Sequence, residues 1–177
     1  MEPIKRVKRE LRTKGSILEF YKDTVEVNGQ LQEWDFMKAG GGAAVVAVND
    51  EGKVLMVRQY RNAIDDFSLE LPAGKADDIE EPTIECAKRE LEEETGYYAE
   101  HMEFLMSINS LIAFTNEKVD IYVARNLTKT QQHLDPEEDI NVELWDVKDL
   151  QQMIFEGKLV DAKTIAGIMG YVEKYNH

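Results

Sequence analysis

Glu90, Glu93 and Glu94 stand close together in a stretch that reads as a single helix, and carboxylates at that spacing can hold a metal ion. Pro82 suits the first helical turn and Gly96 the residue just past the helix end. Ile84, Ala87, Leu91 and Thr95 form one apolar side. At about 100° per residue, the glutamates fall within an arc of about 100° beside that stripe. They crowd the C-terminal end of the helix, where each acidic group costs roughly 0.3–1 kcal/mol. Like-charged neighbours add to that cost. A hard divalent cation, Mg2+ or Mn2+, offsets both, because it prefers carboxylate oxygens. The plain alternative is a solvated acidic face, steadied by Glu85 and Arg89 at i,i+4.

The elements that must position this helix are legible on both sides of it. Residues 1–14 read as a mobile or docking arm. Residues 16–27 alternate in part, Asn28-Gly29 is a strong hairpin turn, and 31–38 supply the return strand. Gly40-Gly41-Gly42 punctuates the chain. The run 43–48, AAVVAV, reads as a strand buried on both faces, and KVLMVRQYR after the Asn49–Gly52 turn reads as a second strand. Later strands are expected at 102–108, 118–124 and 141–147. Helices are expected at about 147–156 and 161–175, the last capped by Asp161. This order implies a mixed α/β sheet with helices on its faces.

The 177 residues favour one domain with a substantial core, and 43% apolar with 32% charged content fits a globular protein. No apolar run is long enough for a membrane span. The basic N-terminus lacks the apolar region of a secretory signal. The single Cys86 cannot form an intramolecular disulfide, which suits the cytoplasm, and it reads as a packing residue. His101, His133 and His177 converge with no motif. A formal net charge of −14 repels nucleic acid and anionic membranes, so neither is expected as a partner. It repels a phosphorylated substrate as well, unless cations bridge the two.

Gly74, a glutamate at 80 or 81, and the run Arg89-Glu90-Leu91-x-Glu93-Glu94-x-Gly96-Tyr97 resemble the Nudix box, G-x5-E-x7-R-E-U-x-E-E-x-G-U, with U a bulky apolar residue. The chain has one residue more than the box between Gly74 and Arg89, so either Glu80 or Glu81 is its first glutamate. The resemblance extends over residues about 30–170 and is similar to the branch that hydrolyses ADP-ribose and related nucleoside diphosphate sugars. Gln59-Tyr60-Arg61 ends a strand before the box, and Glu70-Leu71-Pro72-Ala73-Gly74 leads into it. Phe114-Thr115-Asn116-Glu117 precedes a later strand, and Asp161-Ala162-Lys163-Thr164 comes near the C-terminus. One departure is Ile112-Ala113, where the branch usually has Pro-Gly.

The resemblance implies a Nudix α/β/α sandwich with an N-terminal β-hairpin extension, divided into an arm and hairpin at 1–40 and a hydrolase domain at 41–177. It implies Glu90 and Glu94 as metal ligands, Glu93 as a ligand or a partner of one, and the Ala73 carbonyl as a backbone ligand, with Mg2+ as cofactor and Mn2+ able to substitute. It implies that Arg89 fixes the carboxylates by bidentate bonds. Glu117 is the implied general base, or else a solvated loop acid. Arg61 would contact the diphosphate, or form a surface ion pair; Arg58 has the same chemistry and a weaker match. Trp34 would stack on adenine, or pack in a core or dimer contact, while Trp145 reads as core. The expected reaction is metal-dependent hydrolysis of ADP-ribose to AMP and ribose 5-phosphate by a cytoplasmic homodimer joined through the hairpin. Two alternatives stand beside it: hydrolysis of another nucleotide or non-adenine sugar nucleotide, and a module that binds ADP-ribose without cleaving it.

Overall fold

The apolar run at 43–48 becomes the middle of a sheet covered on both faces. The computed structural model describes residues 4–76 and 80–175, so His177 lies outside the described residues. In chain order it contains β1 (Lys5–Lys14), β2 (Glu19–Val27), β3 (Gln30–Lys38), β4 (Gly42–Val48), β5 (Val54–Arg61), β6 (Asp66–Glu70), β7 (Ala73–Lys75) and α1 (Thr83–Thr95). Then follow β8 (Tyr97–Tyr98), β9 (Met102–Asn109), β10 (Lys118–Ala124), β11 (Thr128–Lys129), β12 (Ile140–Trp145), α2 (Val147–Phe155) and α3 (Ala162–Tyr175). The chain divides into two units: Met1–Gly40 with Asn109–Glu117, and Gly41–Ile108 with Lys118–His177.

The larger unit is built on a sheet of order β12-β5-β4-β10-β9, with β6 beside β5 and β7 beside β4. β4 and β10 pair in parallel, whereas β5 pairs antiparallel with β4, β6 and β12. Every residue of β4 is buried, because alternate side chains enter different cores. Ala43, Val45 and Ala47 pack with Cys86, Ala87 and Leu91 of α1. Ala44, Val46 and Val48 pack with Leu150 of α2 and Ile168 and Tyr171 of α3. The result is the expected α/β/α layering around a mixed sheet. Full burial of Leu91, Leu150 or Ile168 contributes about 1.5–3 kcal/mol each.

The smaller unit carries a sheet of order β1-β2-β3. Asn28 and Gly29 take positive φ, 51° and 75°, as the expected hairpin turn requires. Residues 5–14, expected as an arm, are instead a strand paired antiparallel with β2. Register shifts between Arg6 and Lys8 and between Leu11 and Thr13 break its alternation, which hid the strand in the sequence. Arg9 holds the buried Asp23 with two bonds of 2.6 Å and stacks 3.6 Å from the Phe36 ring centroid.

Candidate active site

α1 ends where its sequence dictates. Pro82 occupies the N-cap, one residue earlier than expected, with φ −61°. Gly96 takes the left-handed C-cap position at φ 68°, and its amide donates to the Glu92 carbonyl at 2.8 Å. A side chain at Gly96 would also meet the Gln132 backbone nitrogen at 2.9 Å. The buried stripe is Cys86, Ala87, Leu91, Glu94 and Thr95, so a box glutamate is drawn into the core face. The Cys86 thiol is buried, and burial pushes it up to about 12, which leaves it an inert packing group.

Arg89 is the hub of the box. Its Nη1 donates to Glu90 at 2.8 Å and to Glu93 at 3.0 Å. Nε and Nη2 each reach a Glu81 oxygen at 3.3 Å, and Nη2 also donates to the Lys75 carbonyl at 2.9 Å. Burial alone would lower the pKa of Arg89, but its bonds to Glu81, Glu90 and Glu93 raise it. Of the two candidates for the first box glutamate, Glu81 thus accepts from Arg89 through both of its oxygens. Lys88 donates to Glu85 at 3.0 Å, an i,i+3 surface pair beside the Arg89 network.

Glu90 lies against Gly74, where a side chain would meet its carboxylate at 2.1 Å. The glycine of the box is thus a steric vacancy for the glutamate. Burial raises the pKa of Glu90, and the charges of Glu93 and Glu138 push the same way against Arg89. Glu94 is 3% exposed, and its Oε2 accepts the Ala73 amide at 2.8 Å. Burial pushes its carboxyl up to about 8; the Ala73 bond and Arg61 oppose this, and the charges of Glu90 and Glu138 add to it. Among the described residues, no group of three or more His, Cys, Asp or Glu is gathered as a formed metal cage. Glu90 and Glu93 share the Arg89 guanidinium instead. The donors nonetheless fit a hard divalent cation in chemistry and charge, since carboxylates are crowded and partly buried at the negative end of a helix.

The Glu70–Gly74 segment is anchored from α3. Glu70 is 3% exposed and receives Nε and Nη2 of Arg61, both at 2.7 Å, and Nζ of Lys163 at 2.6 Å. Burial alone would raise its pKa, yet these cations hold it at about 2. The Leu71 amide donates to Thr164 Oγ1 at 2.8 Å, and Thr164 in turn donates to Asp161 Oδ2 at 2.6 Å. Asp161 also accepts the Thr164 amide at 3.0 Å, which is the expected cap of α3. The two motifs on either side of the box therefore form one polar lock under Ala73.

Strand alternation separates Arg61 from Arg58. Arg61 shares the face of Val57 and Gln59, is bound to Glu70, and has its pKa raised first by that bond and further by the charges of Glu94 and Asp161. Arg58 lies on the face of Met56, which packs with α2 and α3 on the side away from α1. There it bonds Glu143, which also accepts Trp145 Nε1 at 2.8 Å. The structure thus brings together Arg61, Ala73, Arg89, Glu90, Glu93 and Glu94 and leaves Arg58 apart from them. Trp34 and Glu117 belong to the smaller unit. Trp34 is 47% exposed on β3, opposite Asp23 of β2. The Glu117 carboxylate accepts the Ser110 hydroxyl, and its carbonyl accepts Asn109 Nδ2 at 3.0 Å.

Sequence reasoning missed the segment that closes over the end of α1. His133 N donates to the Glu93 carbonyl at 2.9 Å, Thr130 N to the Gly96 carbonyl at 2.8 Å, and Gln132 Nε2 to the Glu94 carbonyl at 2.7 Å. The segment continues into a turn in which the Glu138 amide bonds the Asp135 carbonyl at 2.9 Å and the Glu138 carboxylate accepts the Asp135 amide at 3.0 Å. Only the acidic run DPEED could have drawn attention to Glu138.

A carboxylate helix held by one arginine, seated on a glycine and covering a mixed sheet defines a class. The chain belongs to the Nudix family, and the NUDIX domain model matches residues 38–167. It is similar to the methanol dehydrogenase activator of Bacillus methanolicus, with 36% identity over 167 residues that cover 93% of this chain and 90% of the relative. It is also similar to the ADP-ribose pyrophosphatase of Bacillus subtilis strain 168, with 34% identity over 167 residues and the same coverage of 93% and 90%. A crystal structure of an ADP compounds hydrolase shares the fold at a TM-score of 0.89, covering 99% of this chain and 96% of that one at 19% identity.

Proposed function

We propose that this chain hydrolyses the diphosphate linkage of ADP-ribose or a related nucleoside diphosphate sugar, giving AMP and ribose 5-phosphate from ADP-ribose. The observation that carries the reading is Glu94, buried at the negative end of α1 with Glu90 and Glu138 as acidic neighbours. A buried carboxylate in acidic company is costly unless a cation joins it. Glu90, Glu93, Glu94 and the Ala73 carbonyl would hold Mg2+, with Mn2+ able to substitute. When bound, such a cation polarises phosphoryl oxygens and lowers the pKa of water.

The chain's own residues supply the rest. Arg89 fixes the rotamers of Glu90 and Glu93 through the bonds it donates to both. Arg61, oriented by Glu70, brings positive charge to the diphosphate in a chain of net charge −14. Trp34 offers an exposed indole face for adenine. The hairpin unit serves substrate binding and homodimer formation, and its exposed Ile17, Leu31 and Trp34 support that role. The protein works in the cytoplasm, without nucleic acid or membrane as partner. Among the described residues no helix is long and apolar enough to cross a membrane.

Chromatography of the products of a nucleoside diphosphate sugar panel, with and without Mg2+, tests the reading. Release of AMP from ADP-ribose that chelation abolishes is the expected result; no metal-dependent release from any member of the panel would sink it. The proton of the attacking water passes to a loop carboxylate. Glu117 is one choice, and the field of Glu138 at both Glu90 and Glu94 favours a second. Loss of the true base should lower kcat by roughly 10²–10⁴-fold with little change in KM. Glu117→Gln and Glu138→Gln therefore decide between them, and the variant that stays within a few-fold of the parent is excluded as the base.

A further inference from the structure

The last carbonyls of a helix have no partner within it and must find one outside. In α1 the Glu92 carbonyl takes the Gly96 amide, and the Glu93 carbonyl takes the His133 amide. The Glu94 carbonyl takes a side chain, Gln132 Nε2, at 2.7 Å. The same nitrogen donates to the Ile140 carbonyl at 3.3 Å, at the start of β12. A carboxamide nitrogen has two N–H donors, so both carbonyls are served by one group. Gln132 and its acceptor Ile140 flank the segment 133–139, so the side chain closes that loop, and its bond to the Glu94 carbonyl ties the closed loop to the helix.

The loop so closed carries the turn in which Asp135 and Glu138 bond one another. The approach is tight: the Gln132 backbone nitrogen would lie 2.9 Å from a side chain at Gly96. The final glycine of the box therefore serves this crossing as well as its own left-handed turn. A lysine or arginine is the common choice at a negative helix end. A neutral amide satisfies the carbonyls without cancelling the negative field that Glu90 and Glu94 present to a cation.

We propose that Gln132 is a positioning residue for hydrolysis, clamping the Asp135–Glu138 turn to the glutamate end of α1. The inference rests on the hydrolase reading above. Gln132 touches neither substrate nor cation; it acts through the Asp135–Glu138 turn, which its bonds to the Glu94 and Ile140 carbonyls, with the His133 amide on the Glu93 carbonyl, hold against the glutamate end of α1.

The test is a double-mutant cycle of Gln132→Met and Glu138→Gln. Methionine keeps the length of the side chain and removes both donors. Each protein is measured for kcat and KM on ADP-ribose with Mg2+, and for Mn2+ affinity by electron paramagnetic resonance without substrate. Gln132→Met should lower kcat and weaken Mn2+ binding by about tenfold each, with KM unchanged, as expected for a residue that orients another. Added to Glu138→Gln, it should cause little further loss. Losses that multiply would show a merely structural role and overturn the proposal. So would parental kcat and Mn2+ affinity in Gln132→Met, or a Glu138→Gln variant indistinguishable from the parent in both readouts. Gln132→Asn, which shortens the same amide by one methylene, carries the cycle if the Met variant does not fold, with the same outcomes. If the parent fails to hydrolyse ADP-ribose, the hydrolase reading falls, while the cycle in Mn2+ affinity still judges Gln132.

Discussion

Replacing Glu70 by Gln removes one charge from the lock beneath Ala73 while keeping its shape. Glu70 is 3% exposed, and its partners Arg61 and Lys163 hold its pKa at about 2 against an ordinary 4.5. A carboxyl whose native pKa is depressed contributes stability in full above its unfolded pKa and loses it as pH falls through the native one. Ionised Glu70 is thus worth roughly 3 kcal/mol at pH 7 by linkage. The Arg61 side chain is 43% exposed, so solvent screening reduces this to about 2 kcal/mol. At pH 3, less than half remains, because most of the titration between the two pKa values is then complete. Gln imitates the protonated carboxyl, so urea unfolding of parent and variant isolates the ionised form. The expected gap is about 2 kcal/mol at pH 7 and about 1 kcal/mol or less at pH 3. An equal gap at both pH values would refute the electrostatic account, and a gap under about 0.5 kcal/mol at pH 7 would show that the pairing only balances the burial cost.

Glu94→Gln should lower metal-dependent kcat by about 10²-fold or more, about 2.7 kcal/mol at the transition state. Its thermal unfolding without metal should stay close to the parent's, since the amide oxygen can still accept the Ala73 amide; parental turnover would remove Glu94 from the metal site. Gly74→Ala forces a methyl group into the Glu90 carboxylate, 2.1 Å from it. A stability loss of about 1–3 kcal/mol and weaker Mn2+ binding are expected, measured by urea unfolding and electron paramagnetic resonance. Trp34→Ala should raise KM for ADP-ribose, corresponding to roughly 1–3 kcal/mol of lost stacking, with kcat little changed. Unfolding or dissociation of that variant would assign Trp34 to packing instead.

How much of this was legible in the sequence depends on how local the cause was. The box helix could be read because its caps, its apolar stripe and its glutamates all obey one period of 3.6 residues. β4 could be read because an unbroken apolar run suits a strand covered on both faces. β1 could not, because its register shifts break the alternation that marks a strand. That Arg89 reaches back eight residues to Glu81 could not be read from the spacing of the box. Gln132 and Glu138 were invisible for a different reason. The contacts that bring their segment to the box arise where a loop crosses a helix end, and no residue spacing encodes that crossing.

The arginines of β5 show the reverse case, a conclusion the sequence contained before the structure displayed it. Arg58 and Arg61 are three residues apart, and a strand sends residues at odd separations to opposite faces. VLMVRQYR alone therefore forbids both from serving one ligand on the same face of a regular strand. The partners bear this out: Glu70 and the charge of Glu94 on one side, Glu143 and Trp145 on the other. The box helix needs the first face, since Leu55 and not Met56 meets α1. Arg61 is thereby the arginine of β5 that can add positive charge beside the box glutamates, and Arg58 joins β5 to β12.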